Sequence, residues 1–359
     1  MPNKAKKSIS LILCFLFLFE QSGFAQTGLQ LDISSYLSSL RSSLAVDKFR
    51  PLHLRFISYD SQANDFRLIL DRGDSKNLQN KELETITKTL LNYFFIGITL
   101  PNDTFWVNLR PDSPDNIIDS LLAQTDIGKV FLEADLQLKK DTALATSPQT
   151  PEGKLYWDKL YKKAEELFGS ENITIPTLTR PWIVPSEIII RETKDNAYIY
   201  KATLKVMLEQ DYLKNSPLYN FKDDRLKQLN EYSSQLIRQM ILPKLTKEIN
   251  TSKRYASLRQ VYYSLILARW FKARFYGKGG LYTRLIDKKE LKGLTSQVPS
   301  SKNTYFKEYQ RSFKEGEYNL KERISNLYGQ TIRSYFSEGL ILAHSLFLRQ
   351  VAVAQEWCL

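Results

Sequence analysis

Glu187-Ile188-Ile189-Ile190-Arg191-Glu192, a turn at Lys194-Asp195-Asn196, and the arm Tyr198-Ile199-Tyr200-Lys201-Ala202-Thr203-Leu204-Lys205-Val206 decide the fold. In the second arm Tyr198, Tyr200, Ala202, Leu204 and Val206 fall on one side, while Lys201, Thr203 and Lys205 fall on the other. A period of two is that of a strand with one face buried, so the stretch predicts an antiparallel hairpin on a core. A proline-containing connector from Thr174 to Pro185 leads into it.

A second hairpin precedes it: Leu52, Leu54 and Phe56 alternate with His53, Arg55 and Ile57, and Phe66, Leu68 and Leu70 alternate again after Ser61-Gln62-Ala63-Asn64. A helix over about Lys81 to Phe95 and a short strand at Phe105, Val107 and Leu109 follow. Ser113-Pro114 and Thr125-Asp126 each read as a helix start. Thr150, Pro151 and Gly169 supply a cap, a first-turn proline and a stop, and Trp157, Leu160, Tyr161, Ala164, Leu167 and Phe168 share one face between them. Long helices are expected over Asp223–Leu242 and Arg254–Phe275, with Pro243 breaking or kinking the first. Strands early and helices late predict an α+β fold, helix-rich, with short antiparallel hairpins packed against long helices.

The N-terminus reads as a secretory signal peptide. Lys4, Lys6 and Lys7 precede an apolar run from Ile9 to Phe19, and Gly23-Phe24-Ala25 sets small residues at the cleavage positions. About eleven apolar residues fall short of the roughly twenty that span a bilayer. A lipid anchor on Cys14 is disfavoured by the bulk of Leu13. The expectation is a signal peptide over 1–25 and an extracytoplasmic protein, periplasmic or secreted. A main globular region over 26–294 follows, with a boundary near 170–186 if it has two subdomains, and then a polar peripheral segment and tail over 295–359. The apolar part of that tail, Leu340 to Ala354, is interrupted by His344, Arg349 and Gln350 and does not read as a membrane span. With the leader removed only Cys358 remains, so neither an intrachain disulfide nor a paired-cysteine zinc site is available.

Three stretches carry a resemblance: Phe105-Trp106-Val107-Asn108-Leu109-Arg110-Pro111-Asp112, Leu178-Thr179-Arg180-Pro181-Trp182-Ile183-Val184-Pro185, and Arg254-Tyr255-Ala256-Ser257-Leu258-Arg259-Gln260-Val261-Tyr262-Tyr263. They resemble a family of uncharacterised exported proteins predicted from genomes of uncultivated bacteria, over roughly Phe105 to Thr295. The resemblance implies no activity. Residues 340–359 depart from the family's pattern, as a truncated or frame-shifted end would, so no function is built on Cys358 or His344.

Catalytic signatures are sparse. The two histidines are His53, on the polar side of a predicted strand, and His344 in the tail. No Gly-x-Ser-x-Gly elbow occurs, and Gly277-Lys278-Gly279-Gly280 lacks the phosphate-loop spacing and reads as a helix stop. Asp112, Asp115 and Asp119 near Arg110 read as first-turn acids of a helix. Glu133 and Asp135, two apart on a helix, point to different faces and make no acid pair. Trp157 and Trp270 take core positions, whereas Trp106 and Trp182 are freer and are the candidate ligand-binding residues.

Charge is the one feature that points to a partner. Of the formal +12, a net +9 lies between Lys253 and Lys289, ten cations against Asp287. A helix C-terminus accounts for Arg269, Lys272 and Arg274, which leaves Lys278, Arg284, Lys288 and Lys289 as candidate polyanion-binding residues. The expected function is a non-catalytic envelope binding or structural module with a basic face, its partner an anionic surface such as lipid head groups or wall polymers. No specific nucleic-acid recognition, metal or cofactor is expected. The alternative is a hydrolase of wall glycans with two converging carboxylates.

Overall fold

The computed structural model describes residues 48–109, 116–169, 180–213, 223–275 and 301–314, with short strands at 324–325, 331–332, 339–341 and 351–353. All lie in one unit, Asp47–Leu359. The leader expected at 1–25 lies outside them. The fold is α+β, as the hairpins and long helices predict.

Strands β1 (His53–Asp60) and β2 (Asp65–Asp71) form the first hairpin, and β4 (Pro181–Glu192) and β5 (Asn196–Leu208) the second. The sheet runs β2-β1-β5-β4-β8-β3, where β3 is Trp106–Val107 and β8 is Gly339–Ile341. β1, β2, β4 and β5 are joined antiparallel, while β8 and β9 (Val351–Val353) lie parallel to β4. A separate pair joins β6 (Ile324–Ser325) to β7 (Thr331–Ile332). Thus the stretch read as peripheral contributes β8 to the sheet, with Leu340 buried there.

Both hairpins carry bulges that change which residues face the core. Leu54 pairs with Leu70 and Phe56 with Ile69, so Arg55 is an extra residue. Alternation therefore resets, and Ile57 and Tyr59 follow Leu54 into the core. In β5, Lys201 pairs with Ile189 and Ile199 with Ile190, which makes Tyr200 the extra residue. Leu204 and Val206 face inward as expected, but Tyr198 and Tyr200 do not join them. Ala197 and Ile199 are buried in their place, and Tyr200 is 54% exposed.

Beyond Phe56–Ser58, β5 has no β1 neighbour. Helix α6 (Leu242–Thr251) supplies the missing partners with its side chains. Leu204 N–H donates to Asn250 Oδ1 at 3.0 Å, Asn250 Nδ2 returns to Leu204 O at 2.6 Å, and Val206 N–H donates to Thr246 Oγ1 at 3.0 Å. Buried backbone groups need such partners.

The helices pack as their patterns require. α1 (Asn80–Thr99) crosses α7 (Ala256–Phe275) closely: a Cβ on Gly97 would lie 2.7 Å from the Cβ of Ala268. α7 is buried on most of its circumference, from Leu258 and Val261 through Tyr262, Ile266 and Phe271. α3 (Pro151–Phe168) begins on Thr150, whose Oγ1 accepts from Gly153 N–H at 3.1 Å, and ends at Gly169, where φ is +56°. Trp157, Leu160, Ala164 and Phe168 are buried on its inner face, flanked by partly buried Tyr161 and Leu167.

Two helix expectations change in detail. α2 (Asp126–Ala145) starts at Thr125 as read, but residues 116–121 are not helical, and Ile118 forms a bridge with Val107 instead. After the short α4 (Glu209–Leu213), α5 (Asp224–Leu236) runs into α6 through a π turn at Ile237–Ile241. Pro243 has no N–H to continue the ladder, and the wider turn just before it accommodates the loss. α8 (Ser301–Lys314) lies on α2, with Tyr309 buried.

Candidate functional site

Lys278, Arg284, Lys288 and Lys289 lie outside the described residues, but the cations that precede them in the basic run are described, and they serve the fold. Arg259 is buried, and its Nη1 and Nη2 donate to Ile249 O at 2.8 Å and Phe49 O at 2.7 Å. Desolvation lowers its pKa to about 10. Lys272 Nζ donates to Leu100 O, the C-terminal cap of α1, at 2.8 Å, and burial followed by Arg269 lowers its pKa to about 8. Arg274 Nε donates to Lys194 O in the β4–β5 turn at 3.0 Å. Arg254 pairs with Asp141 at 2.6 Å and with Glu248 at 3.0 Å, and Lys253 stands over the Phe49 ring. Backbone carbonyls and buried acids therefore hold much of the charge that the sequence presents as one run.

The sheet brings Trp106 and Trp182 together on the face away from the core. Leu340 of β8 pairs with Val107 on one side and with Ile183 on the other, and all three are fully buried. The preceding residue in β3 and in β4 is the tryptophan, so both rings project from the opposite face across one intervening strand. That end of the face is not an open platform. Val184, on the same side, is 1% exposed, and Tyr212 of α4 stacks on Trp182 with ring centroids 6.4 Å apart. The Trp182 Nε1 is itself buried without a hydrogen-bond partner among the described residues.

The described acids considered for catalysis have structural partners. Asp119 Oδ1 accepts the amides of Leu121 at 2.8 Å and Leu122 at 3.1 Å. Asp112 and Asp115 lie outside the described residues. Glu133 accepts from Tyr305 of α8 at 2.6 Å. Asp135 indeed faces away from Glu133: it is wholly buried against Lys139, 2.6 Å away, and accepts the Leu109 amide at 3.2 Å. Burial pushes its carboxyl above the ordinary carboxylate range, and the Lys139 ammonium opposes that push. The four-residue spacing of Asp135 and Lys139 was the available signal, and an ion pair on the buried face of a helix is what it marks. Asp141 is held by Arg254, Tyr255 and Gln137.

His53 lies opposite Asp71, across the strand from Leu54 as read, but it is not open to solvent. It is buried, with its ring 4.0 Å from that of Tyr263 on α7. His344, Cys358 and the glycines at 277, 279 and 280 lie outside the described residues. Among the described residues no group of three or more His, Cys, Asp or Glu is placed to hold a metal ion, and no helix is long and apolar enough to cross a membrane. Comparison of the chain with protein families, with curated proteins and with solved structures finds no match.

Proposed function

We propose that the chain is an exported, non-catalytic envelope module that docks on anionic surfaces through Lys278, Arg284, Lys288 and Lys289. The observation that carries this reading is the concentration of charge in the sequence, a net +9 between Lys253 and Lys289, of which Arg254, Arg259, Lys272 and Arg274 bond to acids or backbone carbonyls of the fold. The chain enters that segment beside the β4–β5 turn, where Arg274 binds Lys194 O. A cluster of like charge attracts an opposite surface over a Debye length, about 8 Å at physiological salt.

Co-sedimentation with vesicles tests the reading. The mature protein is expected to bind vesicles rich in anionic lipid at low salt, and replacing the four cations with Gln is expected to weaken binding by up to about a thousandfold, at roughly 1 kcal/mol for each cation near an anionic bilayer. The difference is expected to vanish at about 1 M salt, where the Debye length is about 3 Å. Equal binding by the two proteins at low salt contradicts the proposal.

A further inference from the structure

Both ring nitrogens of His53 are engaged at the seam between β1 and β5. Pro51 O can only accept, so His53 Nδ1, 2.9 Å away, carries the proton. Nε2 keeps its lone pair, and Arg55 Nη1 lies 3.4 Å from it. Around the ring stand Arg55 of β1, Asp71 of β2 and Tyr263 of α7. Asp71 Oδ2 is 3.9 Å from both His53 Nε2 and Arg55 Nη1. Arg50, a more distant positive neighbour, is paired with Asp74.

Arg55 is the bulged residue of β1, and it fills the gap where the ladder to β5 ends. Its Nη2 donates to Tyr200 O at 2.8 Å, at the bulge of β5. Its guanidinium lies 5.4 Å from the Tyr198 ring centre and 6.0 Å from that of Tyr263. One side chain thus joins two bulges, two tyrosine rings and the histidine.

We propose that this seam is an acid-operated joint, in which protonation of His53 drives Arg55 out of the gap between β1 and β5 and frees the Tyr200 bulge. A proton on Nε2 removes the lone pair that faces Arg55 and sets an imidazolium against a guanidinium 3.4 Å away. Asp71 is equidistant from the two cations and takes the imidazolium as Arg55 leaves. Tyr200 O then loses its bond where β5 has no β1 ladder to replace it.

Desolvation is the largest influence on the ring and lowers its pKa below 6.5, against the Pro51 bond and Asp71, which raise it. The unfolded chain therefore binds this proton more readily than the folded one. The stability of the closed joint is complete above about pH 6.5 and declines as pH falls below that value.

The test uses the mature chain with His344→Gln, which leaves His53 as its one imidazole. The ring is titrated by NMR, and amide exchange, corrected for its intrinsic pH dependence, is followed in β5. Exchange at Tyr200, Lys201 and Ala202 is expected to rise by about tenfold from about pH 7 to about pH 5, with the midpoint of the His53 ring. Exchange in α3 is expected to stay constant. A ring that titrates without any change in these amides overturns the proposal, as do midpoints more than about one pH unit apart. The same rise in His53→Gln also overturns it. Should that variant fail to fold, the comparison of ring and amide midpoints decides alone.

Discussion

Replacing Lys139 with Met lowers the unfolding free energy by about 3–5 kcal/mol at neutral pH, the usual cost of leaving one member of a buried ion pair alone. Both side chains are 0% exposed, so no water reaches the stranded Asp135. Its Oδ1 has no partner among the described residues, and the Leu109 amide would remain the carboxylate's donor. The double variant Lys139→Met with Asp135→Asn is more stable than the single one at neutral pH, because a neutral amide can still accept from Leu109 without a charge in the core. Acid separates the two. In the single variant Asp135 is held above its unfolded pKa, so its deficit grows as pH rises from about 4 and shrinks as pH falls toward that value. Chemical denaturation at several pH values reads both effects. A loss below about 0.5 kcal/mol, the level of an ordinary surface change, would mean that the pair is solvated.

Trp157→Ala carries the second large effect, about 3–5 kcal/mol for a wholly buried aromatic side chain. The indole fills the inner face of α3, packs edge-on against Tyr156 with centroids 4.9 Å apart, and donates from Nε1 to Thr146 O at 2.7 Å. Thr146 caps the C-terminus of α2, so the truncation empties a cavity and removes a bond that ties α2 to α3. Trp157→Phe keeps most of the apolar volume and loses mainly the hydrogen bond, so it costs about 1–3 kcal/mol, within the range for an unmet buried acceptor. Equal losses in the two variants, read from denaturant midpoints, would contradict this assignment of the larger share to packing.

What the sequence shows of this fold is local. Period-two alternation locates both hairpins, and Thr150, Pro151 and Gly169 bound α3 at the observed residues. The alternation misleads where a bulge interrupts it. One extra residue at Arg55 and one at Tyr200 turn every later side chain to the other face, and nothing in composition marks either position. That is why Phe56 reads as core and Ile57 as outward in β1, and why Tyr198 reads as core in β5. Long-range pairing is equally hidden: Leu340 lies between Val107 and Ile183 in the sheet, although its own segment reads as a tail.

The candidate site divides along the same line. Summed charge from Lys253 to Lys289 is visible in one dimension, whereas the carbonyls of Phe49, Leu100, Lys194 and Ile249 that hold three of those cations come from other parts of the chain. The two tryptophans read as free do share a face, but Tyr212 stacks on one of them. An isolated strand pattern gives no sign of what packs above it.

The separation of structural from docking cations is the centre of this account, and one paired measurement tests it. Two charge-neutralised proteins are compared with the wild type for thermal stability and for low-salt binding to anionic vesicles. The first carries Gln at Arg259, Lys272 and Arg274, and the second at Lys278, Arg284, Lys288 and Lys289. The account predicts that the first loses stability, by about 1–3 kcal/mol for each buried carbonyl left unmet, and that its folded fraction binds vesicles with affinity near that of the wild type. It predicts that the second melts within about 0.5 kcal/mol of the wild type, as surface changes do, and has lost most of its binding. Loss of binding in the first protein while it remains folded, with binding retained in the second, would contradict the account.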